Sequence, residues 1–179
     1  MEKILKRKTI YQGKIVNIEE VDIDFDNGKI STFELINFNV ETGVSILPID
    51  SKNNVILVKQ FKLGVKKRII NIPSGGLEVG ENPIEVANRE LQEEVGYKSN
   101  DLSLIFRAHS SPGYIGSELA YFFLAKDLVP SKIEGDEIEE IQIIKLPFDQ
   151  ILKMVKSGEI IDMKTISAIL YYKQFILNK

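Results

Sequence analysis

Three glutamates, Glu90, Glu93 and Glu94, lie close together in a stretch that the sequence predicts to be helical. At about 100° per residue they fall within an arc of about 100° on the helix surface. Such carboxylates repel one another, and near a helix C-terminus they also oppose the helix dipole. A hard divalent cation relieves the repulsion, so the spacing indicates a site for Mg²⁺, or for Mn²⁺. Arg89 can pair with Glu85 and Glu93, and a solvated charged face is the alternative interpretation.

The helix that would carry these acids is predicted at 83–95. Asn82 suits the N-cap and Pro83 suits the first helical position, while Gly96 is a natural C-terminal stop. Apolar residues recur every three or four positions and predict one buried stripe, formed by Ile84, Ala87, Leu91 and Val95.

The rest of the chain mixes strands with helices. We expect β structure over 9–40, with Asn27-Gly28 as a hairpin turn. Apolar or alternating runs predict strands at 21–25, 30–35, 43–49, 55–61, 69–73, 102–108, 119–125 and 140–147. Two further helices are predicted at 147–158 and 166–177. Because strands and helices do not alternate strictly, we expect an α/β fold with a mixed sheet covered by helices.

Composition excludes several classes of protein. The chain has 179 residues and a net charge of −3, which fits one domain with a small appendage and gives no nucleic-acid-binding surface. The absence of cysteine excludes disulfides, zinc–thiolate sites and thiol catalysis, and the single histidine, His109, excludes histidine metal clusters. No segment resembles a signal peptide or a membrane span, so we expect a cytoplasmic protein that does not bind membranes.

A longer pattern surrounds the glutamates. Five residues separate Gly75 from Glu81, and seven separate Glu81 from the run RELQEEVGY at 89–97. This resembles the signature of the Nudix hydrolases, a glycine, five residues, a glutamate, seven residues, then R-E-apolar-x-E-E-x-G-apolar. Every fixed position is met, and the one soft departure is Tyr97, where a smaller aliphatic residue is usual.

The resemblance implies a fold and a domain organisation. Residues 43–179 would form the Nudix domain, an α/β/α sandwich with a mixed sheet. Residues 1–42 resemble an N-terminal β-strand extension that supports a domain-swapped homodimer. A monomer with a β-hairpin cap, or a dimer through another face, is the alternative.

The resemblance also implies roles for individual residues. Glu90 and Glu94 would be metal ligands, and Glu93 a ligand or a group that orients water. Arg89 would orient the glutamates. The backbone carbonyl of Ser74 would supply a further metal oxygen.

The flanking sequences resemble the ADP-ribose pyrophosphatase branch. The run at 58–81 is similar to that branch's Q-[FY]-R followed by E-[LI]-P-A-G, but Lys62 replaces the arginine and Asn71 replaces the glutamate. The run at 110–125 is similar to S-P-G-[FY]…E…FLA, with Glu118 at the acidic position and as a further candidate metal ligand.

The branch usually has a catalytic glutamate in an acidic loop, here within EGDEIEEIQIIKLP at 134–147. Aligning on Lys145-Leu146-Pro147 gives Glu139 as the catalytic base, with Glu137 and Glu140 as alternatives. A flexible acidic loop without a chemical role is the other interpretation.

The resemblance therefore predicts Mg²⁺-dependent hydrolysis of a nucleoside-diphosphate sugar, first of all ADP-ribose to AMP and ribose 5-phosphate. Candidate substrate-binding residues are Lys59, Lys62, Arg68, Gly113 and Tyr114. For the basic residues, solubilising surface charge is the alternative. Another nucleoside-diphosphate sugar such as GDP-mannose is the second candidate substrate. A non-catalytic sensor of ADP-ribose or NAD is a third possibility, although it would predict a degraded signature.

Overall fold

The structure is a computed structural model that describes residues 1–39, 42–116, 119–135 and 141–177. The chain divides into two compact units. The first comprises Met1–Gly43, Gly76–Gly80 and Arg107–Ala120, and the second comprises Val44–Gly75, Glu81–Phe106 and Tyr121–Lys179. Within the described ranges, no helix is long and apolar enough to cross a membrane.

The N-terminal part of the first unit is a three-stranded antiparallel sheet. Its strands are β1 (Lys3–Gln12), β2 (Val16–Asp24) and β3 (Ile30–Phe38), in the order β1-β2-β3. The predicted hairpin is confirmed, since the turn between β2 and β3 places Asp26 and Gly28 at positive φ, 62° and 75°. The sheet begins earlier than predicted, because β1 starts at Lys3.

The remaining strands form a three-stranded sheet in the order β10-β5-β6 and a four-stranded sheet in the order β7-β4-β9-β8. Their bounds are β4 (Thr42–Pro48), β5 (Asn54–Lys62), β6 (Lys67–Asn71), β7 (Ser74–Leu77), β8 (Tyr97–Ala108), β9 (Ala120–Pro130) and β10 (Gln142–Pro147). Strand β7 was not predicted. Its sequence, SGGL, has no apolar alternation, and its extended form comes from pairing with β4.

The helices are α1 (Pro83–Val95), α2 (Phe148–Ser157) and α3 (Met163–Tyr172), and a π-helical turn at Lys173–Leu177 follows α3. The predicted bounds of α1 are confirmed. The predicted helix at 166–177 was wrong in its start, because Asp162 caps α3 by accepting from the backbone N–H of Thr165 at 2.8 Å.

The apolar core of the second unit includes Val55 and Leu57 on β5, Leu91 on α1 and Ile169 on α3, all fully buried. The predicted stripe on α1 needs one correction. Ile84 is 42% exposed, and Val86 is buried in its place, so the buried face of the first turn is formed by Val86 and Ala87.

Candidate functional site

The acidic face of α1 is partly desolvated. The side chains of Glu90 and Glu93 are 13% and 14% exposed, and Glu94 is buried, with 7% of its surface exposed. The helix is fixed at one end by Asn82, whose side chain accepts from the N–H of Ile84, and at the other by a left-handed Gly96. Burial of three carboxylates on one helix face is costly unless cations or N–H donors compensate.

Two of these acids meet the chain at the start of β7. The backbone N–H of Ser74 donates to Oε2 of Glu94 at 3.0 Å. The carboxylate of Glu90 lies so close to Gly75 that a Cβ on this residue would stand 2.0 Å from the carboxyl carbon. Only glycine therefore permits this approach of helix and strand, which accounts for the glycine that opens the sequence signature.

Arg89 supplies the compensating positive charge. Its guanidinium contacts Glu81 at 2.8 Å, Glu90 at 3.6 Å and Glu93 at 3.8 Å. The hydrogen bond with Glu81 raises the pKa of Arg89, and all three carboxylates add to the rise. The expected pairing with Glu93 is confirmed. The expected pairing with Glu85 was wrong, since in the described part of the chain Arg89 reaches back to Glu81 instead.

These donors suit a hard divalent cation. Glu90, Glu93 and Glu94 carry carboxylate oxygens, the ligands that such a cation prefers, and Glu90 lies against Gly75 while Glu94 accepts from the N–H of Ser74. Among the described residues, no three acidic or histidine side chains already close into a metal cage. The chemistry of the residues therefore fits a cation, and the guanidinium of Arg89 offsets part of the negative charge of Glu90 and Glu93.

A cavity of about 330 Å³ adjoins the C-terminal end of the acidic face. It is lined by Glu93, Glu94, Lys132, Glu134, Gly135, Ile141 and Ile143. The predicted acids Glu118, Glu137, Glu139 and Glu140 lie outside the described residues. Lys132 and Glu134 were not predicted, because nothing in local spacing brings them to α1.

A larger cavity, of about 720 Å³, is lined by none of the predicted site residues that the structure describes. The turn at 50–54, Tyr97, Lys126, Lys145 and Tyr172 contribute to its walls. Size alone therefore does not identify the site.

The three predicted basic residues do not share one side of their sheet. Lys59 and Lys62 lie on β5, and Arg68 lies on β6 directly opposite Phe61. Because successive side chains of a strand point to opposite faces, Lys59 and Arg68 share a face that Lys62 does not.

Gly113 and Tyr114 belong to the first unit. Their turn is joined to β3, since the carbonyl of Tyr114 accepts from the N–H of Ile36 at 2.8 Å. The Tyr114 side chain is exposed. Solvent-facing aromatic rings of this kind are available for stacking.

Asn71 occupies the position where the resembling branch has a glutamate. It is buried, its Nδ2 donates to the carbonyl of Ile72 at 3.1 Å, and its Oδ1 lacks a hydrogen-bond partner in the described structure. A glutamate here would bury a charge, so the amide is the less costly residue unless a cation is supplied.

The chain is similar to known proteins over most of its length. A family model described as the NUDIX domain matches residues 40–165. The chain is 36% identical to the ADP-ribose pyrophosphatase of Bacillus subtilis (strain 168), over 95% of this chain and 91% of that protein. It is 33% identical to a GDP-mannose pyrophosphatase of Salmonella typhimurium, over 84% and 83%. A crystal structure of an ADP compounds hydrolase superposes with a TM-score of 0.90 at 28% identity, covering 99% of this chain and 95% of that one. The predicted fold is thereby confirmed.

Proposed function

The chain belongs to the NUDIX domain family, and on that basis we propose that it hydrolyses the pyrophosphate bond of a nucleoside-diphosphate sugar. The observation that carries the proposal is the acidic face of α1, with Glu90 against Gly75 and Glu94 held by the N–H of Ser74. A sensor that binds without cleaving predicts a degraded signature, whereas every fixed position of the signature is present in this chain.

We propose that Glu90, Glu93 and Glu94, with the carbonyl of Ser74, hold Mg²⁺, and that Mn²⁺ can replace it. The bound cation would withdraw charge from the phosphoryl oxygens and make a water molecule more acidic. Under this proposal residues 43–179 are the catalytic domain.

The residues of the chain have separate tasks in this scheme. Arg89 holds the carboxylates of Glu90 and Glu93 towards one point, and the Ser74 amide fixes Glu94. Glu139 is the first candidate to accept a proton from the attacking water, with Glu137 and Glu140 as alternatives. The water oxygen bonds to one phosphorus, the bridging P–O bond breaks, and the leaving phosphate carries away the electron pair.

ADP-ribose is the proposed substrate, with AMP and ribose 5-phosphate as products. The similarity to the Bacillus subtilis ADP-ribose pyrophosphatase over nearly the whole chain supports this choice. GDP-mannose is the second candidate, since the similarity to the Salmonella enzyme is of the same order. Binding of the diphosphate by Lys59, Lys62 and Arg68, and of the base by the turn at 113–114, stays a prediction.

The test is product formation from ADP-ribose and GDP-mannose, each with Mg²⁺ and after chelation, separated by chromatography. AMP formed faster from ADP-ribose, and lost on chelation, is the expected result. Faster turnover of GDP-mannose would move the proposal to the second substrate. Failure of both, with a folded protein, would contradict it.

A matched pair of variants tests the site itself. Glu94→Gln keeps an oxygen for the Ser74 N–H but removes the charge, so turnover should fall by about 100-fold or more with the melting temperature little changed. The control, Glu85→Gln, removes an exposed acid from the first turn of the same helix. Equal rates in both variants would remove the metal assignment from α1.

We also propose a homodimer in which the sheet β1–β3 takes part. Its support is the number of large apolar side chains that this sheet leaves exposed, among them Ile4, Ile10 and Ile30. A cytoplasmic location stays a prediction from the sequence.

A further inference from the structure

The C-terminal end of α1 lacks a positive charge of its own. Its last turn contains Glu93 and Glu94 and no basic residue of its own. The carbonyls that end a helix lack partners within it and carry partial negative charge, so acids there are unfavourable and a cation is favourable. Gly96 satisfies part of this need through its N–H, which bonds to the carbonyls of Leu91 and Gln92.

A segment distant in sequence supplies the positive charge, in the form of a lysine side chain. The ammonium of Lys132 donates to the backbone carbonyl of Glu93, one of those terminal carbonyls. Its aliphatic stem lies along Gly96, where a Cβ would stand 3.6 Å from the Lys132 Cδ. Such a contact combines helix capping by a basic side chain with packing of its methylene groups.

The neighbouring residue reinforces this attachment. The backbone N–H of Ser131 donates to the carbonyl of Gly96 at 2.9 Å, and its hydroxyl donates to Oε1 of Gln92 at 2.9 Å. Three contacts from two consecutive residues therefore join the end of β9 to the last turn of α1. This part of the chain then leads to Glu134 and Gly135, which line the 330 Å³ cavity together with Glu93 and Glu94.

We propose that Lys132 is a positioning residue for the hydrolysis proposed above. It caps the C-terminus of α1 and so sets the distance between the glutamates of that helix and the wall of the cavity at 134–135. The inference rests on the proposed function for its kinetic part, whereas its structural part concerns only this chain.

The experiment compares Lys132→Met, which keeps most of the stem and removes the ammonium, with Lys132→Arg, which keeps a donor and the charge. Lys98→Met is the control, since Lys98 is an exposed lysine two residues beyond Gly96. For Lys132→Met, kcat for ADP-ribose with saturating Mg²⁺ should fall about tenfold with KM little changed, and Lys132→Arg should recover most of the loss. Lys132→Gln replaces the methionine variant if that protein does not fold.

Amide hydrogen exchange gives a readout that does not depend on turnover. Peptides covering 92–97 and 131–135 should exchange faster in Lys132→Met than in wild type, with no change for Lys98→Met. Wild-type exchange and wild-type kcat in Lys132→Met would overturn the inference. If the wild-type chain cleaves neither nucleotide sugar, the proposed function fails, yet unchanged or faster exchange still decides whether Lys132 anchors the helix end.

Discussion

Gly75 is the residue on which the geometry of the acidic face depends most directly. Because a methyl group there would stand 2.0 Å from the Glu90 carboxyl carbon, Gly75→Ala must displace either the helix or the carboxylate. A displacement of about 1 Å in a catalytic group can cost about 100-fold in rate, so we expect a loss of turnover of that size. The measurement is kcat/KM at saturating Mg²⁺, with thermal melting to follow stability.

Gly64→Ala is the matched control, since a Cβ there meets nothing within 4 Å. It should leave turnover near the wild-type rate. Normal activity in Gly75→Ala would mean that Glu90 can move away without consequence, and would argue against its role as a metal ligand.

Arg89 and Glu81 should behave as one unit. Their contact of 2.8 Å is the shortest that Arg89 makes with a carboxylate in the described chain. We expect Glu81→Gln to lower kcat about tenfold, and Arg89→Met to lower it further. The double variant should be no worse than Arg89→Met alone, because Glu81 is expected to act by holding the guanidinium, and the loss of its charge has no further effect once the guanidinium is gone. Additive losses would show instead that Glu81 has an independent role.

The sequence predicts one of the contacts of Arg89 correctly, the one with Glu93, but not those with Glu81 and Glu90. Helical spacing predicts Arg89 beside residues four positions away, and so predicted Glu85 and Glu93. Glu81 lies before the helix, and only the path of the chain into Asn82 brings its carboxylate to the guanidinium. Lys132 is more distant still, and no local pattern could have connected it with α1.

At the scale of elements, the turn between β4 and β5 depends on Asp50. Its Oδ1 accepts from the N–H groups of Lys52 at 2.9 Å and Asn54 at 2.8 Å, and its Oδ2 contacts the ammonium of Lys145 on β10 at 2.7 Å. Burial alone would raise the pKa of Asp50. The hydrogen bonds from Lys145 and Asn54 outweigh that effect, and the pKa is lowered below the ordinary value of 3.8.

Because the pKa of Asp50 is lowered in the folded state, ionisation of this carboxyl group stabilises the fold. The ionised Asp50 stabilises the fold above about pH 4, and this contribution is lost as the pH falls towards the folded-state pKa. Asp50→Asn should therefore lower the melting temperature by about 3 °C at pH 7, and the difference from wild type should shrink as the pH falls below 4. The control is Asp101→Asn, at an exposed position on β8. A difference that stays constant down to pH 2.5 would contradict the assignment.

Elements defined by local signals were predicted closely. Helix α1 begins and ends as predicted because its N-cap, proline and terminal glycine act within one turn. Strand β7 has no such signal, since its two glycines and serine become extended only by pairing with β4. Helix α3 began earlier than expected because the side chain of Asp162, and not the apolar pattern, fixes its start.

At the scale of the molecule, the sheet β1–β3 leaves several large apolar side chains exposed to solvent, which is unfavourable. All ten residues of β1 are exposed, and Ile4 and Ile10 retain 56% and 43% of their accessible surface. Several large apolar side chains exposed on one small sheet are what an interaction surface would present. A symmetric homodimer is the simplest assembly that would cover it.

The homodimer proposal predicts a mass of twice the 20.3 kDa chain in sedimentation equilibrium. The double variant Ile4→Glu and Ile10→Glu would place charges in an apolar interface, where an unpaired carboxylate costs several kcal/mol, about enough to dissociate a micromolar dimer. We therefore expect this variant to sediment as a monomer that keeps its far-ultraviolet circular dichroism. Lys6→Glu, a charge change at another exposed position of β1, should remain dimeric. A wild-type monomer would contradict the proposal, and a dimeric double variant would move the interface away from β1.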